Sequence, residues 1–344
     1  MKVVVAPDSY KGCLTAGEVA QAMAASLRSG HPDWAVVELP LADGGDGTLD
    51  VLLPALQGEY RQAAVHDPLG RPVSARWGLA GETAVIEVAE ACGLKLLACD
   101  ERNPLVASTY GVGELLLAAY EAGAKHFLIG LGGTATCDGG RGMLDVPGLV
   151  EHLKGCTLEL LCDVENPFIG PQGAACVFAP QKGASEADVQ TLERRMTEWA
   201  GLILEQTGVD VRQMPGAGAA GGLGGALMAF FGGVRVSGID RILDLLSFDS
   251  LVQGAGLIFT GEGRSDLQTL DGKVALGVLK HAGSIPVVLV SGRIQNREEL
   301  QAAGFSSLVQ ITPDDMSLSE AVKPETARKN LILAINAANS FPRG

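Results

Sequence analysis

The sequence predicts an α/β protein of two domains: a doubly wound parallel sheet built from both chain ends, and a mixed α/β domain inserted between them. Three observations lead there. At 344 residues the chain exceeds the comfortable size of one hydrophobic core. Hydrophobic residues make up 47% of it and aromatics only 5%, an aliphatic balance that suits parallel sheets covered by helices. Strand and helix patterns alternate at both ends, whereas the middle carries turn-linked segments of alternating polarity.

The apolar run at 3–5 reads as a buried strand. After the loop APDSYKGC, Thr15 and Glu18 form a capping box that opens a helix closing at Gly30, ahead of Pro32. A second strand at 35–39 leads through LADGGDGT into a helix from about Thr48, which Pro54 should kink or shorten. From 60 to 88, RQAAVHD and VSARWGL flank the turn PLGRP and read as antiparallel pairing. A helix capped by Ser108 or Thr109 precedes the strand HFLIGLGG, and further strands are expected at CTLELLCD and around CVFAP. Residues 185–206 form the clearest amphipathic helix, capped by Ser185 with Asp188. Alternation then returns: strand 255–260, helix from Lys273, strand PVVLVSG, helix, strand SSLVQIT and a C-terminal helix. The implied boundaries are 1–58 with 255–344 for the doubly wound domain and 59–254 for the insertion.

With 26 Lys and Arg against 40 Asp and Glu, the formal charge of -14 argues against a nucleic-acid surface or an anionic membrane as partner. The seven cysteines include no CxxC pair, so neither a disulfide framework nor a zinc site is indicated and a reducing cytoplasm fits. MKVVVAP enters a strand at once, and no later run approaches the apolar length of a membrane span. Cys137, without a His partner nearby in sequence, reads as a space-filling residue and not as a nucleophile.

Glycine is the outlier, at 46 residues, roughly twice the usual share. The strand ends carry APDSYKG, LADGGDGT, GLGGTATCDGG and TGEGRSD, where open α/β sheets bind ligands. Each loop combines glycines, which let backbone N–H groups approach a ligand, with carboxylates that phosphate alone would repel and Mg²⁺ would attract. Taken singly, such glycines serve turns and such Asp or Ser residues cap helices; four together point to a metal-bound nucleotide. There is no G-x-x-x-x-G-K-[ST], because Gly272-Lys273 is followed by Val274. In PGAGAAGGLGG, Gly216, Gly218 and Gly221 match G-x-G-x-x-G, but Pro215 denies it a lead-in strand. It reads as a glycine-rich helix start packed against, or closing over, a ligand, the plainer alternative being a close helix contact. Basic residues near these loops are few: Lys11, Lys182, Arg264, Lys273 and Arg293.

APDSYKGCLTA, LADGGDGT, IGLGGTATCDGG, CDVENPF, FAPQKGA, PGAGAAGGLG, TGEGRSDLQT with DGKVALGV, and PVVLVSG together resemble the type I glycerate kinases of bacteria. The resemblance covers nearly the whole chain. The family usually shows Glu where Asp46 stands, Ser and Asn at Thr134 and Cys137, and Ile at Ser265. It also carries additional residues after Gly142, where RGMLDVPGLVEHLKG passes directly across. The resemblance implies ATP-dependent phosphorylation of D-glycerate, leaning toward 2-phosphoglycerate. It also implies a flavodoxin-like domain, a second domain resembling a restriction-endonuclease core, and an active site in the cleft between them.

Phosphoryl transfer needs a phosphate cradle, a carboxylate-bound Mg²⁺ and a group that orients the attacking hydroxyl. Candidate cradle residues are Gly132, Gly133, Thr134, Thr136, Gly216, Gly218, Gly221 and Gly222; candidate metal ligands are Glu262 and Asp266 with Asp163. Asp43 or Asp46 would orient the glycerate hydroxyl, while Lys11 and Arg264 neutralise carboxylate and phosphoryl charge. Asp8, Ser9, Gly44, Gly45, Thr48, Asp138, Asn166, Gln181, Lys182, Gln268 and Lys273 complete the expected binding set. The glycine fingerprint keeps a nicotinamide-dependent hydroxy-acid oxidoreductase as an alternative, and a hinged, non-catalytic small-ligand binder is another.

Overall fold

The apolar run that opens the chain pairs with runs from its far end. In the computed structural model, which describes residues 1–270 and 272–337 and so leaves Asp271 outside, strand Lys2–Val5 lies between Ala35–Glu38 and Ala255–Thr260. Val287–Ser291 and Ser307–Gln310 extend the sheet beyond Ala255–Thr260, and every pairing is parallel. In chain order the strands run 2-1-3-4-5, an order of doubly wound sheets that brings all carboxyl ends to one edge. Val3, Val5, Leu257, Phe259, Val288 and Val290 are buried with Val19, Met23 and Leu27 of helix Ala16–Gly30 and Leu331 and Ile335 of helix Pro324–Ala337. Buried runs this continuous are what a sheet covered by helices requires.

A second sheet of six strands lies within Gly44–Gly238. Glu59–His66, Pro72–Ala80 and Thr83–Glu87 pair antiparallel, and His126–Gly130, Thr157–Leu161 and Val234–Val236 continue parallel. Ile86, Phe127, Ile129 and Leu160 of these strands are buried with Val112, Leu115 and Leu116 of helix Tyr110–Glu121. The short edge strand Val234–Val236 carries too few residues to announce itself in sequence. Among the described residues no helix is long and apolar enough to cross a membrane.

Several local signals act as read. Thr15 and Glu18 exchange both capping-box bonds, as do Ser185 and Asp188 ahead of helix Glu186–Thr207. Helix Thr48–Ala55 stops one residue after Pro54. Two expectations need correction. The stretch around CVFAP is helix, Ala174–Phe178, because Ala175 and Ala179 pack with Leu192 of the long helix; a short apolar run does not by itself choose between strand and buried helix. The boundaries also move, to Met1–Asp43 with Ile239–Gly344 and to Gly44–Gly238. Helix Thr48–Ala55 belongs to the middle unit because Glu87, at the end of a strand of the second sheet, accepts from the N–H groups of Gly47 and Leu49. Ile239 belongs with the chain ends because it packs on Gly277, where an added Cβ would lie 2.3 Å from Ile239 Cγ1.

The fingerprint PGAGAAGGLGG is a packing device. A Cβ at Gly221 (φ +67°) would sit 2.0 Å from the Thr136 carbonyl oxygen, and one at Gly218 would sit 2.2 Å from the Pro167 carbonyl oxygen. Gly221→Ala is expected to destabilise the protein by about 2 kcal/mol or more, through left-handed strain plus overpacking. Gly17→Ala, in the first turn of helix Ala16–Gly30 where nothing lies within 4 Å, should stabilise by up to about 0.5 kcal/mol. Thermal melts of the two variants check both signs; equal Tm changes would contradict the packing role.

Candidate active site

Three loops leave the carboxyl edge of the first sheet and are knit together by their backbones. Asp8 N–H donates to the Gly261 carbonyl at 2.8 Å, Gly292 N–H to Glu262 at 3.2 Å and Arg293 N–H to Gly263 at 3.2 Å. Such approach leaves no room for side chains at two points. A Cβ at Gly261 would lie 1.7 Å from the Val290 carbonyl oxygen, and one at Gly292 would lie 2.2 Å from that of Gly263. The result is a short parallel pair, Arg264–Ser265 with Arg293–Ile294, which turns the TGEGRSD loop back over the sheet.

Under it lies a cavity of about 400 Å³ lined by Asp8, Ser9, Lys11, Glu262, Arg264, Asp266, Gln268 and Lys273, eight residues singled out from sequence. The Glu262 carboxylate is buried and accepts from Ser265 Oγ at 3.1 Å and Thr269 Oγ1 at 2.6 Å, with Lys273 Nζ at 3.5 Å. Ser265 in turn shares a 2.7 Å hydroxyl bond with Ser291 at the end of the neighbouring strand. Asp266 accepts from the Gln268 N–H at 2.9 Å and pairs with Arg264 Nε at 3.2 Å. Asp8 accepts from the Ser9 N–H at 2.6 Å. Burial, then the nearby Asp43, push its carboxyl up to about 7 against the pull of Lys11. Lys11 Nζ lies 4.0 Å from Asp43.

Arg293, named among the basic residues near these loops but given no role, also lines this cavity with Tyr10 and Thr312, which were absent from the expected set. Arg293 was detectable, being the first residue with a side chain after the strand PVVLVSG. Tyr10 and Thr312 look like core and turn residues, and nothing in the sequence distinguishes them.

The middle unit gathers a second group. Gly44 and Gly45 meet Gly130 and Gly132 backbone to backbone: Cβ atoms added at Gly130 and Gly132 would lie 2.5 Å from Gly44 O and 2.6 Å from Gly45 Cα. Asp46 is exposed beside Gly133, its Oδ1 3.2 Å from where a Cβ there would stand. Other expected binders are occupied by the fold. Thr48 Oγ1 donates to the Gly45 carbonyl at 2.8 Å and closes the turn. The Asp138 carboxylate accepts from Thr109 N–H and Oγ1, Gly140 N–H and Gly142 N–H. Asn166 Nδ2 donates to the Gln172 carbonyl at 2.8 Å, and Gln181 is exposed on a short 3-10 turn.

Lys182 is buried, not presented to solvent. Its Nζ donates to Thr134 Oγ1 at 3.0 Å and the Thr136 carbonyl at 2.7 Å, and burial pulls its pKa down. It therefore pins the 132–136 loop. Gly216, Gly218, Gly221 and Gly222 are buried against protein, so they offer no open phosphate cradle. Asp163 lies in the middle unit, where its Oδ1 accepts from the Gly238 N–H at 3.0 Å. Among the described residues no group of three or more His, Cys, Asp or Glu side chains could hold a metal.

Comparison with known proteins gives a consistent answer. The family model described as the glycerate kinase family matches residues 3–150 and 144–340. The two matches meet where the sequence passes directly from Gly142 toward the next strand. Glycerate 2-kinase of Escherichia coli K12 is 43% identical over 326 residues, 86% of each chain. Glycerate kinase of Bacillus subtilis 168 is 40% identical over 354 residues, 93% of each. A crystal structure of a protein assigned as glycerate kinase 2 of Salmonella typhimurium LT2 superposes with a TM-score of 0.82 at 37% identity, covering 98% of this chain and 97% of that one. With the strand-end cavity and these matches running over nearly its full length, the chain belongs to the glycerate kinase family.

Proposed function

We propose that this glycerate kinase transfers the terminal phosphoryl group of Mg²⁺-bound ATP to the 2-hydroxyl of D-glycerate, giving 2-phosphoglycerate and ADP. The observation that carries the reading is the cavity of the first unit, where Lys11, Arg264, Lys273 and Arg293 face Asp8, Glu262 and Asp266. In a protein of formal charge -14, four cations on one cavity are a local provision for anions. The name of the Escherichia coli relative, glycerate 2-kinase, supports attack by the 2-hydroxyl.

The residues present fit a magnesium ion. Mg²⁺ takes hard oxygen ligands and is commonly held by only one or two carboxylates together with substrate phosphates, so a three-carboxylate cage is not required. Glu262 and Asp266 would hold it. When bound, the ion neutralises charge on the phosphates. Asp8 would take the proton of the attacking hydroxyl: it is buried, it lines the cavity, and a carboxyl pushed up to about 7 suits general-base work near neutral pH. As the new P–O bond forms, the bond to the ADP oxygen breaks. Arg264 and Lys273 stabilise the charge left there, and Lys11 takes the glycerate carboxylate. Asp43 orients Lys11.

Phosphorus NMR of the product from D-glycerate, ATP and Mg²⁺ should show 2-phosphoglycerate; 3-phosphoglycerate would overturn the regiochemistry. Asp8→Asn should cut kcat by ~10²–10⁴-fold, and near-normal turnover would remove Asp8 as the base. Stability gives an independent reading. A carboxyl raised in the fold binds its proton more tightly there than in the unfolded chain, so its contribution is present at low pH. It is lost as pH rises from the ordinary aspartate value of 3.8 through about 7. Asp8→Asn removes that loss, so in metal-free buffer its Tm relative to the parent should be higher at pH 8 than at pH 5; the reverse order would contradict the burial argument.

A further inference from the structure

The cavity of the first unit has a second wall that phosphoryl transfer leaves unused. Beyond Thr312 its lining turns aliphatic, with Ile311, Leu318, Ala321 and Val322. Leu318 is 69% and Val322 39% exposed, so these side chains stand open to solvent. D-Glycerate carries an oxygen on every carbon and has no apolar face to lay against them, and a triphosphate has none either. At about 400 Å³, the space falls in the roughly 300–1,000 Å³ range of sites for drug-sized ligands and exceeds what a three-carbon acid fills. The only flat, poorly hydrated part of the reactants is the nucleobase.

We propose that the purine base of the phosphoryl donor lies on the Leu318–Val322 wall, with its phosphates directed to Lys11, Arg264 and Lys273 at the charged end. This rests on the kinase reading of the same cavity and adds the location and the chemical class of the donor's recognition element. The wall is held in register with the charged end. Arg293, which lines the cavity, donates from Nη2 to the Met316 carbonyl at 2.8 Å. The next residue, Ser317, starts helix Leu318–Ala321 by accepting from the Glu320 N–H. Aliphatic side chains recognise a base by dispersion and by shedding water from its faces, which selects weakly among purines and strongly for a base over none.

Leu318→Asp and Val322→Asp in the full chain test this, since both positions are exposed enough to leave folding intact, as a melt of each variant checks. Each should raise KM for ATP at least about tenfold, leave KM for D-glycerate and kcat at saturating ATP within about twofold, and Leu318→Met should restore the parent KM. An unchanged KM for ATP, or a rise confined to KM for glycerate, overturns the proposal. Calorimetry with ADP and with pyrophosphate decides the question without turnover: the Asp variants should lose ADP affinity and keep pyrophosphate affinity. Equal loss for both, or none, overturns it. Failure of the parent enzyme to release ADP with glycerate would strike the kinase reading alone.

Discussion

The first unit's site depends on satisfying the Glu262 carboxylate while it is buried. Two hydroxyl donors, Ser265 and Thr269, and the Lys273 ammonium surround it, which is what makes burying a carboxylate tolerable. Those same donors sit on the residues that follow Glu262 in sequence. Satisfying the charge therefore folds the loop back on itself, and Ser265 hands the constraint to Ser291 on the next strand. The backbone contacts at Gly261 and Gly292 lock that arrangement against the sheet. Arg264, Asp266 and Gln268, carried on that loop, line the cavity as a consequence.

Electrostatics explain why an acidic protein can still serve an anionic substrate. Burial first, and then the nearby Asp43 with a smaller push from Glu262, raise the Asp8 carboxyl far above the ordinary carboxylate range. On the proposed reading, a cavity so arranged would take a polyphosphate more readily when a divalent cation accompanies it. Lys11, Arg264, Lys273 and Arg293 supply the rest of the neutralisation from side chains with exposed or half-exposed heads. Surface charges of this kind act weakly alone and usefully in concert.

What the sequence disclosed followed the range of the interactions involved. Capping boxes at Thr15–Glu18 and Ser185–Asp188 are written within four consecutive residues and were legible. The return of strand and helix alternation after residue 255 announced the sheet shared by both chain ends. The ownership of helix Thr48–Ala55 depends on Glu87, far away in sequence, so the unit boundary was misread. Glycine was ambiguous for a physical reason: a loop that cradles phosphate and a loop that packs against a carbonyl both demand a missing Cβ, and PGAGAAGGLGG turned out to be the second kind. Lys182 shows the same limit for charge, since its sequence neighbours do not reveal that Thr134 and Thr136 enclose it. The strand-end carboxylates and cations were readable because open α/β sheets collect ligands at that edge whatever else the chain does.

The central claim is that the carboxylate-rich end of this cavity receives a nucleotide together with magnesium. Calorimetric titration of ADP into the protein and into Glu262→Gln, each with and without Mg²⁺, measures that most directly. The account predicts that Mg²⁺ tightens ADP binding to the parent protein by an order of magnitude or more, about 1.4 kcal/mol per tenfold, and that Glu262→Gln abolishes this tightening. Equal enhancement by Mg²⁺ in both proteins would contradict it.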